Sequence, residues 1–337
     1  MNANQKKRRA KKRALTALIV VFAILAVYVG FWFISVPVFY GDFAKDSIKL
    51  GAIPDLIIDG FTPQGMTAVD GSDVYMICGY MSGKENSRIY RYGSDGKATK
   101  ILLEYEDGSV YSGHAGGFTA SGEYVYISNA SKIFVLKLSD VMEAKEGDAV
   151  TFIGRFEVPC RASFCSSDGE YLYVGEYHAD GYETAADHVI ETADGTHAAM
   201  VFAYALSDGG EFGIADTDTP AAAYSVGDHV QGFAMIPGGL AVLSCSHGLS
   251  TSELKSYSVS GEADDMFNCD GKNIPLYMLD GRRANDVVKM PHMSEDIEYR
   301  DGALYIAFES AARKYGAGLL PFSTFNVIKM HKQMIGE

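Results

Sequence analysis

Carboxylates, imidazoles and amides recur at matched places along this chain, and gathered together they could bind or protonate a small molecule. One set is Gln64, His114, Arg161, Gln231 and Glu295, and a second is Tyr80, Asn129, Glu176, His178, His247 and Glu309. Only eight histidines are present, and three of them fall in these two sets. A glutamate beside an imidazole suits general acid–base work, which makes Glu295 and His114 the candidate catalytic groups. Gln64, Arg161, Glu176, His178, Gln231, His247 and Glu309 are the candidate ligand-binding residues, as polar groups converging on a concavity would be. The same set could hold a divalent cation: carboxylates with amides suit calcium, and imidazoles suit zinc or iron. The metal ligands themselves stay unassigned, because the residues lie far apart in sequence.

Each of these residues also has a purely structural use. Gln64-Gly65 and Gln231-Gly232 fit turn chemistry, with the amide bonding backbone at a junction. His114 could cap a loop, but the bare backbone of Gly116-Gly117 beside it favours an approaching ligand. Arg161 could pair with Glu176 or Glu295. Glu295 and Asp296 are adjacent, so strand alternation turns only one of them inward; register with Gly65 and Gly232 selects Glu295. Glu309 ends an apolar run, where a lone carboxylate is costly, so it is either paired with Lys314 or functional. No Ser-His-Asp signature or phosphate loop is visible. Gly116-Gly117 and Gly238-Gly239 follow no strand-to-helix pattern and are not dinucleotide sites.

These residues need a scaffold that brings distant positions together. From Phe61 to Tyr105 the chain reads as four short strands, Gln64–Val69, Val74–Cys78, Arg88–Tyr92 and Ile101–Tyr105, with turns at Asp70-Gly71 and Ser94-Asp95-Gly96. That is an antiparallel meander, which cannot bury both faces alone. Half of the unit returns four times, and Tyr75, Tyr126, Tyr173, Val242 and Tyr305 align at spacings of 51, 47, 69 and 63 residues. Blade repeats of β-propellers run at roughly 40–50 residues, with insertions in loops. The fold class is therefore all-β, a propeller most simply of five blades, or of six if Glu262–Asn285 hides a degenerate unit. Blade three carries an insertion over Ala179–Ala198, and Pro275–Leu279 is expected as the fourth strand of blade four. A strand in Asp46–Gly60, with Ile53 and Leu56–Ile58, is expected to complete the last blade and close the ring, removing exposed edges. First-strand starts and second-strand ends then ring one mouth of the central channel, where both candidate sets sit.

The formal charge is -14, but the first thirteen residues hold seven basic groups and no acid, leaving -21 on the remainder. A globular part this acidic is a poor partner for nucleic acid, whose phosphates need Lys and Arg. Residues 1–13 read as a cytoplasmic basic tail. Ala14–Val36 is free of charge and long enough to span a bilayer, and the flanking basic residues put its N-terminal side in the cytoplasm. An uncleaved anchor is favoured over a cleaved signal peptide, because no clear Ala-x-Ala site follows. Residues 37–49 read as a tether and 50–337 as the propeller, outside the cytoplasm at the cell membrane. Five cysteines leave at least one unpaired, and buried free thiols are expected.

The order Pro63-Gln64-Gly65, Asp70-Gly71, Val74-Tyr75 and Arg88-Ile89-Tyr90 resembles an NHL-type or gluconolactonase-like propeller unit, which implies the fold and no particular activity. Phe61-Thr62-Pro63-Gln64-Gly65 and Ser294-Glu295-Asp296-Ile297-Glu298-Tyr299 are similar to segments of five-bladed glutaminyl cyclotransferases. That resemblance implies a catalytic carboxylate at Glu295. The family's Glu-Gly-Trp-Gly stretch is absent, and the only tryptophan, Trp32, lies in the membrane segment. The expected function is a membrane-anchored, extracytoplasmic propeller that binds a small molecule, peptide or glycan at its channel mouth. The alternatives are an enzyme on the same scaffold, a cation-dependent hydrolase or lactonase or a Glu295-dependent cyclotransferase, and a structural partner in an envelope complex.

Overall fold

The structure, a computed structural model, describes residues 3–331. Five sheets stand around one axis as a five-bladed propeller. Their innermost strands are Phe61–Ala68, Gly117–Ser121, Ala162–Ser167, Val230–Ile236 and Ser294–Arg300. Each packs on the next, and the last packs on the first. The β-rich runs alternate their side chains between the two blade faces, so each face meets a neighbouring blade. Five apolar clusters result, one at each blade–blade interface.

The ring closes as expected. Ser47–Ala52 pairs antiparallel with Asn326–His331, with Ser47 opposite Met330 and Ala52 opposite Asn326. The closing strand lies within the anticipated Asp46–Gly60 but ends before Ile53 and Leu56–Ile58: 54–59 form a turn, and Leu56 is buried between blades five and one. Residues 37–49 are structured throughout. Pro37 belongs to the long helix Ala3–Phe39, a short helix Gly41–Asp46 follows, and Phe43 plugs the interface of blades four and five. The long helix exposes its apolar side chains and is long and apolar enough to cross a membrane.

One strand assignment is corrected. The fourth strand of blade four is Ala284–Met290, paired with Ser252–Ser258. Pro275–Leu279 falls instead in Lys272–Met278, which pairs parallel with Ala222–Val226 at the edge of blade three and antiparallel with Asp265–Cys269. Ile274 and Leu276 explain the choice, since there they bury against the interface of blades two and three. Glu262–Asn285 therefore hides no sixth blade; its hairpin widens the third sheet to six strands. Ala149–Thr151 likewise adds a parallel fifth strand to blade one. All five cysteines are free and buried.

The inner strands meet almost backbone to backbone. A β-carbon on Gly65 would stand 2.6 Å from the Phe118 nitrogen, and one on Gly232 would stand 2.9 Å from the Asp296 Cα. Both glycines are required by this approach rather than by their dihedral angles. Gly232→Ala should therefore lower the urea midpoint by an amount equivalent to about 1–3 kcal/mol, as overpacking does. Gly83 faces open space, so Gly83→Ala should change stability by less than about 0.5 kcal/mol.

Candidate functional site

Four of the five inner strands carry a β-bulge near their starts. The register shifts between Pro63 and Gly65, Ala162 and Phe164, Val230 and Gly232, and Ser294 and Ile297. Gln64, Ser163, Gln231 and the pair Glu295-Asp296 occupy these positions. A bulge adds a residue, bends the strand and re-aims side chains. It also breaks the alternation that would turn Glu295 and Asp296 to opposite sides. Both are buried. Asp296 accepts hydrogen bonds from the Phe118 and Ile297 amides, each at 3.1 Å, reaching across to blade two.

Glu295 pairs with Glu309 from the end of the second strand of the same blade, and Glu309 is ringed by donors. Gln64 Nε2 donates to it at 2.9 Å. Glu295 and the Tyr315 hydroxyl also hydrogen-bond to it, and the Lys314 ammonium lies nearby. Burial and the neighbouring Glu309 hold the Glu295 carboxyl well above the usual carboxylate range. Glu309 is raised as well, by burial, but its donors and Lys314 work against that rise. The balance leaves the proton on Glu295 and the charge on Glu309, as expected of two carboxyls sharing one site. Lys314 Nζ donates to the Tyr80 hydroxyl at 2.7 Å, and the Tyr80 ring stacks on His114 with centroids 4.7 Å apart. Burial, then the charges of Lys314 and Arg161, push His114 down to about 4, so it is neutral near pH 7. Arg161 is exposed, and its guanidinium has no hydrogen-bond or ion-pair partner among the described residues, so neither anticipated bridge forms.

A second cluster sits on blades three and four. The Tyr177 hydroxyl and His247 Nδ1 share a hydrogen bond of 2.8 Å, and His247 stacks on His229 at 4.4 Å. His178 Nδ1 lies 2.8 Å from Asp228. Burial raises Tyr177 to about 12, and the nearby Glu295 and Glu309 carboxyls add to the rise, so this cluster lies within electrostatic reach of the pair. Gln231 lines the same arc with no side-chain hydrogen bond among the described residues. Glu176 is not part of the mouth. It turns into blade three, where His188 of the insertion meets it at 2.6 Å and the Met200 amide at 3.1 Å. Among the described residues no three His, Cys, Asp or Glu side chains converge in a way that could hold a metal ion. Glu309 already accepts from three donors, Gln64, Glu295 and Tyr315.

Below the mouth, polar side chains fill the axis. Glu298 accepts from the Thr67 hydroxyl at 2.9 Å and pairs with Arg300 Nη2, while Arg300 Nη1 donates to both Asp70 oxygens at 3.0 Å. Burial raises Glu298 to about 7 despite Arg300. The site therefore has a floor and opens on one face only. Tyr177, His229 and Asp228 escaped the sequence reading. Tyr177 lies between two chosen residues, Glu176 and His178, and strand alternation pointed it the other way, although the strand already ends at Glu176.

Fold and site together define a five-bladed propeller with a buried carboxyl pair at one mouth of its axis. No family model matches the sequence, and no curated protein matches it. Solved structures similar in fold include a hydrazine synthase of Kuenenia stuttgartiensis, 13% identical with a TM-score of 0.37. That alignment covers 77% of this chain and 59% of the other, so this chain spans about 59% of that length. The PQQ-bound aldose sugar dehydrogenase of Streptomyces coelicolor is 13% identical, with a TM-score of 0.44 over 85% of this chain and 97% of that one. A putative oxidoreductase (glucose dehydrogenase) of Thermus thermophilus is 15% identical, with a TM-score of 0.45 over 84% and 99%.

The raised carboxyls have a measurable sign. In the folded state Glu295 keeps its proton above the pH at which the unfolded chain loses it, so stability falls as pH rises from about 4.5. His114 acts oppositely: its folded value lies below the unfolded one, so stability is lost as pH falls from about 6.5 towards 4. Glu295→Gln keeps the shape and a donor to Glu309 but cannot ionise. Its urea stability should gain on the parent steadily between pH 5 and pH 8. Parallel curves would show that Glu295 is ionised in the folded protein.

Proposed function

We propose that this chain is a membrane-anchored binding protein whose propeller stands outside the cytoplasm and takes an anionic small molecule, or an acidic group of a peptide or glycan, at the mouth. The apolar helix supports the anchor, and the basic residues before it support a cytoplasmic N-terminus. The observation that carries the binding reading is the quadrant of Tyr80, His114, Lys314 and Arg161. Two cations flank a neutral stacked imidazole, and Arg161 has no partner of its own among the described residues. The partly buried ammonium and the free guanidinium would grip a carboxylate or phosphate, and the stacked rings would cover its apolar part. Gln231, His178 and His247 line the far side of the same mouth.

An enzyme reading is favoured by one specific feature, a protonated Glu295 in contact with an ionised Glu309. Such a pair can give and retake a proton. Under that reading Glu295 is the acid, Glu309 holds its proton in place, and His114 is a neutral acceptor close by.

Thermal shift against a panel of dicarboxylates, sugar phosphates and acidic peptides tests the binding reading. At least one class should raise the Tm of the parent and lose tenfold or more in affinity with Lys314→Met combined with Arg161→Ala. A panel in which parent and double variant respond alike would remove it. With a binder in hand, Glu295→Gln separates the two readings. Retained affinity with conversion of the binder abolished marks an enzyme, and no conversion by the parent marks a binding protein.

A further inference from the structure

The face that carries the carboxyl pair is also the face from which the apolar helix departs. Residues 309–325 join the second and third strands of blade five at the mouth and supply Lys314 and Tyr315. The far half of that segment packs on the helix. Phe322 meets Phe31 at 6.1 Å and Phe39 at 5.6 Å, and Phe325 meets Trp32 at 5.8 Å. The Tyr28 hydroxyl donates to the Leu319 carbonyl. Tyr28 lies eight residues inside the charge-free run that ends at Val36, or ~12 Å along the axis at 1.5 Å per residue. Whatever touches Tyr28 therefore reaches the boundary of the bilayer that the helix crosses.

Exposed apolar side chains are distributed to match. Outside the helix, Ile48, Met266 and Val287 are exposed on outer strands, Ile153 on a connection of blade two and Val189 beside the blade-three edge; the most exposed are Ile58 at 85%, Leu319 at 72% and Leu249 at 63%, and with Ile57, Val110 and Tyr182 these make a group of six. All six lie on connections that enter a first strand or leave a second strand, which open on the mouth face. Arg313 ties two of these connections together: its amide donates to the Leu56 carbonyl at 2.8 Å and its guanidinium to the Ile58 carbonyl at 3.3 Å. Ile58 and Leu319 thus belong to one braced prominence. Among the described residues, the tight turns that join first to second strands on the opposite face expose no large apolar side chain, and the one such residue on a third-to-fourth connection is Ile153. The connections of that face carry acids, including Asp70, Asp73, Asp95, Asp168, Asp216 and Asp301, and the mouth-face connections carry acids as well, including Asp59, Glu85, Asp107, Asp180 and Glu183.

We propose that the propeller lies mouth-down on the membrane, with Ile58 and Leu319 in the boundary between headgroups and acyl chains. The occupant of this apolar face is the lipid bilayer itself. Short apolar prominences beside a spanning helix gain by entering that layer. The site then opens towards the membrane surface. Resting on the binding function proposed above, its ligand is a molecule that the membrane surface presents.

Brominated-lipid quenching on the full chain tests the orientation. In a Trp32→Phe background, which has no other tryptophan, single tryptophans are placed as Ile58→Trp, Leu319→Trp and, on the opposite face, Asp301→Trp. Each protein is reconstituted in phosphatidylcholine vesicles with or without bromine on the acyl chains, and its fold is checked by circular dichroism. Positions 58 and 319 should be quenched several-fold more than position 301, with blue-shifted emission. Equal quenching at all three positions in vesicle-bound protein overturns the proposal, and a chain that does not float with the vesicles overturns the anchor as well. Leu249→Trp replaces either mouth-face variant that fails to fold. The readout needs no ligand, so a failed binding panel leaves it standing, and its own failure leaves the binding result untouched.

Discussion

The close approach of five inner strands at the axis governs the rest of this structure. Five blades leave so little room that neighbouring backbones touch where Gly65 and Gly232 stand. A conduit cannot pass there. What remains is a shallow mouth above a floor of hydrogen-bonded side chains, from Asp296 down to Arg300 and Asp70. The bulges follow from the same crowding, since a regular strand start would drive its side chains into the next blade. An extra residue relieves this and turns Gln64, Gln231 and Glu295 towards the mouth.

That geometry explains how two glutamates coexist in a buried place. Either ion alone would be costly without partners. One proton on Glu295 turns mutual repulsion into a hydrogen bond, and the remaining charge on Glu309 meets Gln64, Tyr315 and Lys314. These three come from blade one and from the connection at 309–325. The charge state of the pair is thus bound to the placement of that connection. The neutral His114 completes the logic, because Lys314 and Arg161 beside it disfavour a third cation.

The connection at 309–325 has two duties. Lys314 and Tyr315 face the carboxyl pair, while Phe322 and Phe325 face the long helix. The short helix Gly41–Asp46 then wedges Phe43 between blades four and five before the closing strand begins. The long apolar helix, the ring closure and the site are therefore consecutive parts of one stretch of packing.

The repeat of short strands, the ring closed by an N-terminal strand, the apolar helix and the candidates Gln64, His114, Glu295 and Glu309 were all legible in the sequence. Alternation, glycine turns and tyrosine spacing are local, and each blade is built from local pairings. Glu176 and the strand Lys272–Met278 were misjudged for one reason: each is placed by a partner far along the chain, His188 for the first and Ala222–Val226 for the second. The pairing of Glu295 with Glu309, the inward turn of Asp296 and the face from which the helix departs were likewise settled only in three dimensions. Sequence determines which residues a strand contains, because propensity and alternation act between neighbours; tertiary structure decided where its ends aim, because bulges and interblade contacts act between residues that no local pattern links.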